Sequence, residues 1–152
     1  MIIAVACDHG GYPLKAELVQ LLESLGHEVR NLGAHELDPA DDYPDYARYV
    51  GQAIQHGHAD RGVIICGSGV GACVAANKMK GVRAGLCHDT YSARQCVEHD
   101  NVNVVALGHW IIGQKLAEEI VTAFIGAEFE DNEDFHRRVA KLDELEEWGR
   151  NR

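Results

Sequence analysis

Residues Ile2–Cys7 read IIAVAC, six apolar residues with no polar alternation. A strand with one wet face alternates, whereas an unbroken apolar run is the mark of a strand covered on both faces. That feature excludes a sheet with a solvated side and calls for helices above and below it. The rest of the chain supplies them. Leu14, Leu18, Leu21, Leu22 and Leu25 recur at helical spacing behind Pro13, and Gly26 ends the helix. Glu28–Leu32 reads as a second strand, residues 34–42 as an acidic loop, and Tyr43–Gln55 as a helix stopped by Gly57. Gly62–Cys66 is a third strand and Val70–Met79 a helix of small residues. Val82–Cys87, Thr90–Glu98 with Asp89 as cap, Val102–Leu107 and Gln114–Ile125 continue the alternation. The face of that last helix is read as Leu116, Ile120, Val121 and Phe124, and a charge-rich helix over about 134–148 closes the chain.

Five strand–helix units predict an α/β fold, a three-layer α/β/α Rossmann-like sandwich around a five-stranded parallel sheet. The C-terminal helix extends from that body. With 152 residues, 46% of them hydrophobic, the chain is expected to be a single domain over 1–152. A net charge of −10 argues against nucleic acid, which needs clustered Lys and Arg. No apolar run approaches the ~20 residues of a membrane span, and MIIAVAC meets Asp8 without the basic segment of a signal peptide. The five cysteines form no C-x-x-C pair, as expected of reduced thiols in a cytoplasmic protein rather than disulfides or a zinc site.

In such a sheet ligands bind beyond the carboxyl ends of the strands. Glycine and polar residues gather there, at Cys7–Gly11, 33–43, Cys66–Gly71, Cys87–Asp89 and Gly108–Gly113. The loop Gly67-Ser68-Gly69-Val70-Gly71 lets backbone N–H groups approach an anion or a developing oxyanion, and its third glycine exceeds what a tight turn needs. It is no P-loop. It does fit G-x-G-x-x-A through Gly67, Gly69 and Ala72, with Asp89 after the next strand, a permissive dinucleotide pattern on the third strand rather than the first. Cys66 stands at the mouth of the loop, where a helix N-terminus would lower its pKa and make it a base or nucleophile. Cys7, Cys73, Cys87 and Cys96 read as small buried hydrophobes. Asp8 and His9 leave the first strand together, suited to sugar hydroxyls and phosphate, with helix capping as the plainer role of Asp8. His99-Asp100-Asn101 ends a helix, a place that favours an imidazolium with or without chemistry. His136, Arg137 and Arg138 concentrate positive charge in an acidic third, either for an anion or for pairing with Asp131, Glu133, Asp134 and Glu144. The face from Asp143 to Glu147 reads as merely solvated.

The segments ACDHGGYPLK, DDYPDYA, GVIICGSGVGACVAANKMKGVRAGLC, YSARQCVEHDNVNVVALG and GAEF, in this order and spacing, resemble the RpiB/LacA/LacB family of sugar-phosphate isomerases, most of all its ribose-5-phosphate isomerase B branch. The resemblance covers residues 1 to 142. It implies an aldose–ketose isomerase of the pentose phosphate pathway, moving a proton between C2 and C1 through an enediolate without metal or organic cofactor. The substrate it implies is ribose 5-phosphate, giving ribulose 5-phosphate. By the same resemblance Cys66 is the base and Gly67, Ser68, Gly69, Val70 and Gly71 hold the oxyanion. His99 opens the ring, Asp8 and His9 meet hydroxyls and phosphate, and Tyr43 lines the pocket. Some relatives use a glutamate base after the loop, where this chain has Ala72. A homodimer with shared sites and a C-terminal helix reaching across is implied, with pairing of dimers into a tetramer as a further option. Three departures stand out. Asp100 replaces an asparagine, Trp110 replaces an arginine, and Glu133 or Asp134 falls where another arginine is usual, leaving Asn101, His136, Arg137 and Arg138 as the groups near the phosphate. Two alternatives follow: the same chemistry on a four- or six-carbon sugar phosphate or a free sugar, or a non-catalytic regulator that binds a sugar phosphate or a nucleotide.

Overall fold

The computed structural model describes residues 1–151. Five parallel strands, β1 (Ile2–Cys7), β2 (Glu28–Asn31), β3 (Arg61–Cys66), β4 (Ala84–Leu86) and β5 (Val104–Gly108), form one sheet in the order β2-β1-β3-β5-β4. The helices are α1 (Tyr12–Ser24), α2 (Tyr43–Gln55), α3 (Val70–Ala76), α4 (Thr90–Asp100), α5 (Gln114–Gly126) and α6 (Glu133–Arg150).

The two-sided burial read from IIAVAC is realised residue by residue. Ile3, Val5 and Cys7 point into one core with Leu14, Leu18 and Leu22 of α1, Val97 of α4, and Ile120, Val121 and Phe124 of α5. Ala4 and Ala6 point the other way, against Ala47 and Val50 of α2 and Ala72 and Ala76 of α3. The alanines on that side let α2 and α3 lie close to the sheet. Cys66 belongs to this thinner layer. The apolar face of α5 is Ala117, Ile120, Val121, Phe124 and Ile125, while the expected Leu116 is exposed, one position off the stripe. Leu25 is likewise exposed, because it caps α1 after the last buried turn.

α3 and β4 fall furthest short of their expected spans, and both lie at the β4 edge. α3 ends at Ala76 because Asn77 leaves the helix to serve the sheet. Its Oδ1 accepts from Ala84 N (2.9 Å) and its Nδ2 donates to Ala84 O (2.9 Å). A side-chain amide thus stands in for a missing neighbouring strand on an open edge. Residues 82 and 83 are drawn out of the strand: Arg83 N donates to Asn103 Oδ1 (2.9 Å) and Arg83 Nε to Asn101 O (2.8 Å).

α6 is capped by Asn132, whose side chain accepts from Asp134 N and Phe135 N. Its acidic face is not merely solvated. Glu146 accepts from Gly81 N (3.0 Å), Asp143 pairs with Arg83 (3.3 Å) and Glu147 with Lys80 (2.6 Å). These contacts tie the helix to the loop before β4. Val139 is its one buried residue, whereas Leu142, Leu145 and Trp148 are exposed. No helix among the described residues is long and apolar enough to cross a membrane.

Candidate functional site

Cys66 ends β3 and is 7% exposed. Its Sγ donates to Asp8 Oδ2 at 3.0 Å, while Asp8 Oδ1 accepts from Gly11 N at 3.1 Å. Asp8 is itself 4% exposed, so this carboxylate is engaged below the surface with the thiol and the turn. It does not cap α1 by a side-chain bond, since Gly11 is the cap residue. The expectation that Cys66 would be acidified is overturned. Burial, and then the Asp8 carboxylate, push its thiol up to about 11, against a smaller lowering by the N–H groups of Gly69 and Gly67. α3 has only seven residues, so its dipole is weak beside the desolvation of the thiol.

The loop after Cys66 is built by close approach. A Cβ on Gly10 would meet Gly67 N at 2.7 Å, so the turn after β1 lies directly on the glycine loop. Gly69 has φ +79, and a Cβ there would meet the Leu107 carbonyl carbon at 2.8 Å. Trp110 N donates to Gly67 O (3.0 Å) and His109 N to Cys66 O (2.9 Å), locking the loop to the end of β5. Ser68 Oγ accepts from Val70 N at 3.3 Å. Two aromatic rings wall the glycines: Tyr43 stands against Gly71, and Trp110, 71% exposed, stands over Gly67.

His9 lies beside Asp8, but its ring is turned to a residue not anticipated from the sequence. His9 Nδ1 is 2.6 Å from Asp41 Oδ1, and His9 N donates to the same oxygen at 3.0 Å. Asp41 closes the acidic loop 34–42. The only sequence signal for it was that this loop is a strand exit.

The second group of expected residues lies elsewhere. α4 leaves the carboxyl edge, where His88 Nε2 accepts from Gly108 N (2.9 Å) and Asp89 caps the helix through Ser92 N (2.6 Å). Eleven residues later, about 16 Å along the axis at ~1.5 Å per residue, it reaches the amino edge. There Asn101, in left-handed conformation at φ 50, is held by Arg83 just before β4. His99 and Asp100 therefore sit at the opposite end of the sheet from Cys66. His99 Nδ1 bonds Gln95 (2.8 Å), and its ring stacks on Phe135 at 4.1 Å. Next to it, His136 pairs with Asp131 (3.0 Å) and Arg137 with Asp134 (2.6 Å), and Arg138 lies 4.0 Å from Asp134. One chain thus carries two separate groups: Cys66, the loop 67–71, Asp8, His9 and Tyr43 at one end, and His99, Asp100, Asn101, His136, Arg137 and Arg138 at the other.

Comparison with known proteins places this geometry. The ribose/galactose isomerase family matches residues 3–142. The chain is 41% identical to ribose-5-phosphate isomerase B of Escherichia coli (strain K12) over 145 residues, 95% of this chain and 96% of that one. It superposes on Clostridium thermocellum ribose-5-phosphate isomerase B with a TM-score of 0.93, at 41% identity, covering 97% and 98% of the two chains. It also matches Mycoplasma genitalium ribose-5-phosphate isomerase B with bound ribulose-5-phosphate, at a TM-score of 0.90 and 37% identity, covering 96% of each. With a parallel sheet, a thiol at the third strand exit and near-complete coverage in both sequence and structure, this chain belongs to the ribose/galactose isomerase family.

Proposed function

We propose that the protein is an aldose–ketose isomerase with Cys66 as its base, and that ribose 5-phosphate is its substrate. The observation that carries the reading is the Cys66 Sγ–Asp8 contact of 3.0 Å at the mouth of the glycine loop. A thiol that is neutral at rest needs somewhere to put its proton, and Asp8 Oδ2 is in place to take it. The thiolate then lifts the C2 proton of the open-chain aldose. The C–H electrons form the C1–C2 double bond, and negative charge moves to O1, held by amide donors of the 67–71 loop. The enediolate passes its O2 proton to O1, Cys66 returns a proton to C1, and the carbonyl is now at C2. Proton transfer by one positioned group contributes ~10²–10⁴-fold.

Ring opening falls to His99, which one chain holds about 16 Å of helix away from the reacting end. We infer a homodimer in which His99 and the α6 cations of one subunit face Cys66 of the other. Exposed Leu142, Leu145 and Trp148 on α6, and Val70, Val74, Tyr91 and Ile111 elsewhere, support an apolar contact of that kind. A second reading, the same chemistry on another aldose, rests on Trp110, which stands over Gly67 where the family resemblance expects an arginine. The nucleotide reading is weakened because Asp89 is spent on Ser92 N. The test is isomerisation of ribose 5-phosphate beside four- and six-carbon sugar phosphates and free ribose, with Cys66→Ala as control. Turnover abolished in that variant supports the base assignment, and full activity in it removes the assignment.

A further inference from the structure

The distal end of the substrate is where this chain is most unusual, and Asp41 is the residue there with no assigned task. Its side chain is 7% exposed, and one oxygen receives both the His9 ring nitrogen at 2.6 Å and the His9 backbone N–H at 3.0 Å. The Tyr46 hydroxyl also faces this carboxyl, but among the described residues its second oxygen meets no donor in good hydrogen-bond geometry. A desolvated carboxylate with so few donors gains most from a full positive charge on its neighbour. Among the described residues the His9 ring bonds through Nδ1 only. When the imidazole is charged, Nε2–H is a second donor, left free on the exposed side of a ring that is 37% exposed. Other cations on this side are committed: Lys15 is buried against Asn31 Oδ1 and Ala34 O, and Arg48 pairs with Asp45. Where the family resemblance expects an arginine, Trp110 stands.

We infer that Asp41 is a positioning residue that holds His9 as a fixed cation, its Nε2–H aimed at the phosphate of the substrate, at an end of the site where Trp110 stands instead of an arginine. This rests on the proposed isomerase reading for the identity of the anion. The charged groups around the ring agree with it. The Asp41 hydrogen bond, then the Asp8, Asp41 and Asp38 carboxylates, raise the pKa of His9 against a smaller opposing effect of desolvation. The Tyr46 hydroxyl, on α2, neighbours Asp41 and is itself pushed up to about 12, so it stays neutral across the working range.

The sign of the pH effect follows. A raised His9 keeps its charge to a higher pH than a free imidazole does, and phosphate binding weakens as pH rises through that raised value. With Asp41→Asn the charge is lost nearer the ordinary imidazole value of ~6.5. At about pH 7.5, KM for ribose 5-phosphate should rise roughly tenfold with kcat within about threefold, the loss of one charge-assisted hydrogen bond. At about pH 5.5, where both forms are charged, the two KM values should converge. Asp41→Glu should recover much of the difference. The experiment pairs these kinetics with an NMR titration of the His9 side chain, with and without inorganic phosphate, in wild type and Asp41→Asn. A lower His9 midpoint and a weaker phosphate-induced shift in the variant are expected. An unchanged midpoint, or an unchanged KM with reduced kcat, overturns the inference. If wild type turns over no aldose the isomerase reading fails alone, and the titration still decides the role of Asp41. If the variant does not fold, a wild-type His9 midpoint at the ordinary value overturns the inference, and one above it supports the inference.

Discussion

Replacing Asp8 by asparagine should make the resting Cys66 thiol easier to ionise and to alkylate, even as it removes the carboxylate proposed to take its proton in turnover. In the folded protein the thiol is buried and points its proton at Asp8 Oδ2, 3.0 Å away, and together these hold it near 11. At pH 7 such a group is ionised roughly one part in ten thousand, on the order of a hundredfold less than an ordinary thiol. Asparagine fits the same space. Its carbonyl can keep the Gly11 N–H bond of 3.1 Å, while its NH₂ replaces the anion facing sulfur with a donor. The like-charge penalty disappears and the hydrogen bond reverses to favour the thiolate, while burial remains. Alkylation of Cys66 by iodoacetamide at pH 7, followed by mass spectrometry with Cys66→Ala as blank, should accelerate by roughly tenfold or more, and its pH midpoint should fall. A wild-type midpoint at or below ~8.5 would refute the reasoning, because the loop amides would then outweigh burial and Asp8 together. A midpoint that rises in the variant would refute it equally.

Mixing Cys66→Ala with His99→Ala subunits after reversible dissociation tests the shared site: about a quarter of wild-type activity should return, since random pairing gives half mixed dimers with one intact site each. No recovery would place both residues in one subunit's site. Trp110→Arg should lower KM for ribose 5-phosphate by roughly fivefold or more through a new charged contact, and an unchanged KM would show that the ring over Gly67 is not at the phosphate end. Gly11→Ala should cost on the order of 2–4 kcal/mol in a urea melt, because its Cβ would overlap the Ile65 carbonyl, which is rigid backbone. A loss under ~1 kcal/mol would show that the β1 turn can lift off β3.

The layered fold was legible because it rests on local periodicity. A short unbroken apolar run rich in Ile and Val and closed by a glycine turn fits a strand covered twice, and Leu14, Leu18 and Leu22 fit one helix face. Tyr43–Gln55 matches its predicted bounds, because Pro44 and Gly57 mark both ends locally. The misses are of another kind. Asn77 ends α3 early to pair with Ala84, twisting a prediction made from small-residue composition by a contact seven residues on. Asp143, Glu146 and Glu147 look solvated in sequence, yet meet the 80–83 loop across sixty or more positions.

The sequence by itself determined the βα alternation, the strand exits as the place for chemistry, and Cys66 at the mouth of a glycine loop, since each is written in neighbouring residues. Only the tertiary structure decided how that thiol is held. Its proton faces a carboxylate fifty-eight residues away in a desolvated layer, which outweighs the helix end beside it. The fold also decided that His99 lies at the other end of the sheet and that Asp41 grips His9. Charge, burial and distance are set by which segments the sheet brings together, and no local pattern in the chain encodes them.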